Sequence, residues 1–168
     1  MDFTLNGEPV SADPGEERSM LELLREDFGL RSVKDGCAPE GSCGACTVVV
    51  DGHAVVSCAQ KASRVEGKHV VTPEGLSDDE RRLWGQSFVS AGASQCGFCS
   101  PGIVMKAEAL LEKKPAPSRE EIAHALLGNL CRCTGYTKVL DAVELVAAAR
   151  RHDPGRGASW GRGGRDRG

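Results

Sequence analysis

No apolar run in this sequence exceeds a few residues. That is far short of the roughly 20 a membrane-spanning helix requires, so no membrane insertion is expected. The opening stretch MDFTLNGEPV has neither a basic start nor an apolar segment behind it, so no Sec-type signal peptide is expected. The compartment this implies is the reducing cytoplasm. Basic charge is outnumbered by acidic charge where the chain should fold. Residues 151 to 168 carry five arginines against Asp153 and Asp166, a balance of +3, and the formal charge of -3 therefore leaves -6 on residues 1 to 150. An acidic body argues against a nucleic-acid platform. Histidine is also sparse: His53, His69, His124 and His152 all lie away from ligand spacing to any cysteine. Mixed histidine and cysteine ligation of the Rieske kind has no support, and the four imidazoles read as solvated or packed.

Cysteine is what the chain does have. Eight occur in 168 residues, and four of them fall in GCAPEGSCGACTVVVDGHAVVSC, between Gly36 and Cys58. In a reducing compartment such clustering points to metal or redox chemistry rather than to a disulfide scaffold. Cys37, Cys43 and Cys46 follow C-x5-C-x2-C, with Cys58 after eleven intervening residues. This is close to the plant-type ferredoxin run C-x4-C-x2-C…C, in which four thiolates hold a 2Fe-2S cluster. A loop wrapped round an anionic iron-sulfide core needs residues that tolerate positive φ and bring amides near sulfur, a role open to Gly36, Gly41 and Gly44.

The surrounding pattern is α+β. Asp2 to Leu5 and Glu8 to Ala12 read as a hairpin on Asn6-Gly7, and Thr47 to Val50 and Ala54 to Cys58 as a second on Asp51-Gly52. Ser19 can cap a helix from Met20 to about Phe28, with Leu21, Leu24 and Phe28 on one stripe and Gly29 as its stop. A short strand at His69 to Thr72 closes a β-grasp, ferredoxin-like unit. From Pro73 the periodicity turns helical. Ser77 caps a helix to about Ala91, on which Trp84 and Phe88 face the core. Pro101 opens the next, bearing Ile103, Ala107, Leu110 and Leu111, and Lys113-Lys114-Pro115 ends it. Ser118 to Glu121 forms a capping box for a third, and Val139, Val143 and Val146 line a fourth from about Tyr136 to Arg150. Four helices on short connections predict a four-helix bundle.

The other four cysteines punctuate that bundle as Cys96-Gly97-Phe98-Cys99 and Cys131-Arg132-Cys133, each just ahead of an expected helix. Helix N-termini favour thiolate and cluster charge, so a second four-thiolate site is inferred. Two other readings stand beside it. A thioredoxin-like C-x-x-C wants a preceding strand, and here a helix precedes. Structural zinc is the stronger rival, although it prefers two C-x-x-C knuckles and Cys131-x-Cys133 fits that poorly.

With these motifs assembled, the order GC…CGAC…C, then QCGFC, then CRCTGY resembles the small iron-sulfur subunit of the molybdenum hydroxylases. This is the xanthine oxidase family, which includes aldehyde oxidoreductases and the carbon monoxide dehydrogenase of aerobic bacteria. The likeness spans residues 2 to 150. It implies a plant-type ferredoxin-like domain over residues 1–75, holding one 2Fe-2S cluster on Cys37, Cys43, Cys46 and Cys58. It implies a four-helix domain over 76–150, holding a second on Cys96, Cys99, Cys131 and Cys133. Electrons would pass from molybdopterin-bound molybdenum in a large subunit, through both clusters, to FAD in a medium subunit, with no substrate chemistry on this chain. Gln95 matches a family glutamine that touches the molybdopterin; its alternative role is to satisfy loop backbone. The family usually has four residues between its first two cysteines and this chain has five, which should bulge the loop at Ala38-Pro39-Glu40. Phe98 and Tyr136, close to ligands, would shield the second cluster or pack in the core. The Gly/Arg-rich tail, 151–168, reads as disordered. The competing function is a non-redox, zinc-stabilised binding module.

Overall fold

A computed structural model describes residues 1–153 of the chain. Two hairpins turn on left-handed residue pairs, Asn6 and Gly7 at φ 53° and 90°, and Asp51 and Gly52 at 47° and 77°. Those angles match the right-handed twist of the strands they join. The first hairpin pairs β1 (Asp2–Leu5) with β2 (Glu8–Ser11), the second β3 (Thr47–Val50) with β4 (His53–Val56). Strand β5 (His69–Val71) lies between them, parallel to β1 and antiparallel to β3, giving the order β2-β1-β5-β3-β4. Asn6 ties the first turn to the end of β5, accepting from the Thr72 amide at 2.8 Å and donating to its hydroxyl at 3.0 Å.

The helix after Ser19 begins as expected, with the Ser19 and Glu22 capping box formed. It then differs from the expected regular stripe: α1 (Met20–Glu22) widens into a π-helical segment, Leu23–Asp27. Met20, Leu21, Leu23 and Leu24 are all buried, four of five consecutive residues, whereas Phe28 is only half-buried. A 3.6-residue stripe cannot turn four of five positions inward, and the wider turn does.

Four longer helices follow: α2 (Asp78–Ala91), α3 (Ser100–Lys113), α4 (Arg119–Ala125) and α5 (Thr137–His152). Their limits follow the sequence signals. Ser77 caps α2 and Gly92 ends it at φ 68°, and Ser118 and Glu121 form the capping box of α4. Helix α5 extends through His152, two residues into the stretch expected to be tail; residues 154–168 lie outside the described residues. No helix among the described residues is long and apolar enough to cross a membrane.

Strand β3 shows how the two halves join. All four of its residues are buried. Val48 and Val50 enter the core beneath α1 with Phe3 and Val70, while Val49 and Val71 enter the helical core with Ile103 and Leu83. Side chains alternate across a strand, so the Val48 to Val50 run is apolar throughout because α3 covers the sheet's second face. The helical half therefore completes the core of the sheet half.

That contact is close. A methyl group on Gly102, in the first turn of α3, would collide with the Gly44 carbonyl oxygen and lie 3.0 Å from that of Ala45. Both obstacles are backbone atoms that cannot rotate away. Gly102→Ala gains about 1 kcal/mol in helix propensity, while overpacking costs about 1–3 kcal/mol. The net expectation is destabilisation, read as a lower urea midpoint at unchanged m.

Candidate metal centres

The first centre is built on the loop between the π-helical turn and β3. Glu40 N donates to Cys37 O at 2.8 Å, closing a turn that contains a cis Ala38–Pro39 bond. The fifth residue is absorbed there, with Ala38, Pro39 and Glu40 exposed and Cys37 and Cys43 half-buried. Gly41 and Gly44 both sit at φ 68°. Gly36 has no positive φ, contrary to expectation; it supplies room instead, since a Cβ there would lie 3.1 Å from both Cys43 Sγ and Phe98 Cε1. Cys58 lies on a 3-10 turn, Ser57–Ala59, rather than at a strand end. Ser57 turns the chain by donating Oγ to Cys46 O at 2.8 Å.

Backbone amides already point at sulfur. Cys43 N donates to Cys37 Sγ at 3.3 Å, Ala45 N to Cys43 Sγ at 3.5 Å and Cys58 N to Cys46 Sγ at 3.4 Å. The thiols adjoin in pairs, Cys37 with Cys43 and Cys46 with Cys58. The hydrogen bond from Cys43 holds the Cys37 thiol down to about 7. Burial pushes Cys58 up to about 12 and raises Cys43.

The second centre draws on two loops of the helical half. Cys96 and Cys133 are exposed, with their sulfurs 3.6 Å apart, and half-buried Cys99 adjoins Cys131. Burial pushes Cys99 up to about 12. Burial also raises Cys131, but the Thr134 hydroxyl, 3.0 Å from its sulfur, and neighbouring amides together bring it below its ordinary value. The expectation that both pairs stand at helix ends holds only for Cys99, which is the N-cap of α3. Cys131 and Cys133 are set back from α5 by a turn through Thr134, Gly135 and Tyr136, the last at φ 71°. The Tyr136 hydroxyl accepts from Cys131 N at 2.9 Å and donates to Asn129 O at 3.2 Å, so this ring orders the loop.

All eight cysteines are free thiols. Four lie in the sheet half and four in the helical half, and within each half the sulfurs adjoin as two pairs. Among the described residues no group of three or more His, Cys, Asp or Glu is placed to hold a single metal ion. Thiols with amides donating to sulfur are surroundings that an anionic centre can use. His53 Nδ1 engages the Asp51 carbonyl at 2.9 Å, and His69, His124 and His152 are exposed.

Gln95 is exposed, and its side-chain amide donates to Cys133 O at 3.0 Å, the backbone-satisfying role. Phe98 is not core: it is 45% exposed and its ring lies over Gly36 of the first loop. Sequence reasoning missed Asn129, which is 3% exposed and donates to Gly44 O at 3.0 Å. Its only local signal is an uncharged polar residue two places before Cys131.

Residues 3–77 match the 2Fe-2S iron-sulfur cluster binding domain family, and residues 72–144 match the 2Fe-2S binding domain family. The chain is 49% identical over 144 residues to the nicotinate dehydrogenase small FeS subunit of Eubacterium barkeri, covering 85% of this chain and 91% of that protein. It is 46% identical over 147 residues to the xanthine dehydrogenase iron-sulfur-binding subunit of Escherichia coli O157:H7, covering 85% and 91%. A chain of quinoline 2-oxidoreductase from Pseudomonas putida 86 superposes with a TM-score of 0.82 at 40% identity, covering 91% of this chain and 96% of that one.

Proposed function

The chain belongs to the small iron-sulfur subunits of xanthine- and nicotinate-dehydrogenase-type molybdenum hydroxylases, oxidoreductase components with an electron-transfer role, and on that premise we propose that it is a relay with two centres. Cys37, Cys43, Cys46 and Cys58 would hold one 2Fe-2S cluster in a ferredoxin-like domain of residues 1–75. Cys96, Cys99, Cys131 and Cys133 would hold the second in a four-helix bundle of residues 76–150. On the sulfur pairing, Cys37 and Cys43 would hold one iron of the first cluster and Cys46 and Cys58 the other. Cys96 with Cys133, and Cys99 with Cys131, would do the same in the second. Such clusters supply one-electron storage and no bond chemistry.

The chain's own residues set the surroundings. Amides of Cys43, Ala45 and Cys58 donate to sulfur and so favour negative charge there. Cys46 and Cys58 are buried from water, while Cys96 and Cys133 stand at the surface, as do Phe98 and Leu130. Electrons would enter at that exposed pair from a molybdopterin-binding large subunit, with Gln95 next to the docking face. They would leave from the Cys37 and Cys43 side toward FAD in a medium subunit.

The observation that carries this reading is that all eight cysteines are free, four in each half of the fold, with the Cys96 and Cys133 sulfurs brought to 3.6 Å from loops 37 residues apart. The purified protein is expected to be brown, to bleach with dithionite, and to contain about four irons and four acid-labile sulfides per chain. A colourless protein carrying zinc would overturn it, and co-purifying chains should bear molybdopterin and FAD.

A further inference from the structure

Both loops of the second centre close on the loop of the first. Phe98, between Cys96 and Cys99, covers Gly36. Leu130 N, one residue before Cys131, donates to Cys43 O at 2.8 Å. Between these contacts, buried Asn129 donates its side-chain amide to Gly44 O at 3.0 Å and reaches the Thr47 hydroxyl at 3.5 Å. Thr47 in turn donates its hydroxyl to Gly44 O at 2.7 Å. A methyl group on Gly44 would strike the Gly128 carbonyl and come within 2.8 Å of Asn129 Nδ2. The two loops meet with no room for a side chain.

The geometry points to Asn129 as a positioning residue that fixes the separation and orientation of the two thiol quartets. This rests on the two-centre reading above. The physical reason lies in what each contact resists. Packing of α3 on β3 is apolar and tolerates small sliding, because dispersion and burial are non-directional. A side-chain amide bonded to a carbonyl in the first loop is directional, and breaking it leaves Gly44 O to the Thr47 hydroxyl and amide of its own loop, with no side-chain donor from the other. Asn129 is also held from its own side, since its carbonyl accepts from the Tyr136 hydroxyl and that hydroxyl accepts from Cys131 N. Cys43 and Cys131 are thus joined through backbone by the hydrogen bond from Leu130 N to Cys43 O, and Asn129 is the clasp that keeps that bond closed.

The test uses the full chain as purified, unaltered and as Asn129→Asp, which keeps the shape of the side chain and removes the donor. Iron and sulfide content and the two EPR signals of the reduced protein establish first that both centres are filled. In the variant, both signals are expected to keep their positions and intensities. The magnetic splitting that each centre imposes on the other should narrow, and the Leu130 amide should exchange with solvent about tenfold faster in mass-spectrometric measurement. Unchanged splitting in an iron-replete variant overturns the assignment, because a residue that only stabilised the loop would leave the spacing alone. Should the aspartate variant lose a signal, Asn129→Ser, which adds no charge, is read in its place by the same criterion. Absence of iron in the unaltered chain would instead sink the two-centre reading, and the exchange measurement would still report on the clasp.

Discussion

Cys99→Ser is expected to abolish or alter one of two distinguishable EPR signals of the dithionite-reduced protein, leave the other, and lower iron from about four to about two per chain. Cys99 adjoins Cys131, begins α3 as its N-cap and is half-buried, and on the two-centre reading the other three thiols of its set are already ligands. Oxygen at this position is a harder and poorer ligand for iron than thiolate. The first quartet lies on other elements and reaches the second through backbone and side-chain contacts, so its signal should persist. Loss of both signals in a folded variant would show that the partition into two quartets is wrong. Because ligand loops lose their bridging metal, the helical half of the variant should also melt earlier than that of the unaltered chain.

The second large effect is expected far from either centre. Arg150, near the end of α5, bonds Glu80 of α2 and Glu108 of α3, and Trp84 of α2 also donates its ring N–H to Glu108. Glu108 is fully buried and Glu80 nearly so. Burial pushes the Glu108 carboxyl up, and the Arg150 guanidinium opposes that shift. Removing one partner of a buried pair strands a charge, so Arg150→Leu should cost about 3–5 kcal/mol. That corresponds to a fall of about 10 °C in Tm for a chain of this size. The pH dependence has a definite sign. In the variant the folded-state pKa of Glu108 rises further above its unfolded value, so stability is retained at low pH and lost as pH rises through the folded pKa. The deficit in Arg150→Leu should therefore be smaller near pH 5 than near pH 8. Adding Glu108→Gln, which keeps an acceptor for Trp84 and removes the charge, should recover part of it at pH 8. Equal deficits at both pH values would place the cost in lost packing rather than in a stranded charge.

Much of this was legible in one dimension because it is set by short-range chemistry. Asn6-Gly7 and Asp51-Gly52 turn hairpins because those pairs reach φ above zero at little cost. Ser19, Ser77 and Ser118 cap helices because a hydroxyl three residues before a free amide can accept from it. The order of the cysteines separates them into an early and a late four. Less legible was anything that depends on what an element packs against. The Val48 to Val50 run does not say that Val49 belongs to the helical core, since a short apolar run has the same appearance whether one face or two are covered. Phe98 sits between two cysteines of the late set and yet lies on Gly36 of the early one.

Residue type and spacing alone therefore established a mixed α+β chain with two hairpins, a run of helices and two sets of thiols, because turns, caps and metal-ligand spacings are local properties of the backbone. Packing in three dimensions decided which thiol adjoins which. It also decided that Gly36, Gly44 and Gly102 are small to admit a neighbouring segment, and that Asn129, inconspicuous in the sequence, joins the two loops. Those outcomes depend on contacts across as many as 85 residues of chain, as between Asn129 and Gly44, and a directional bond at that separation exists only once both hydrophobic cores have closed around it.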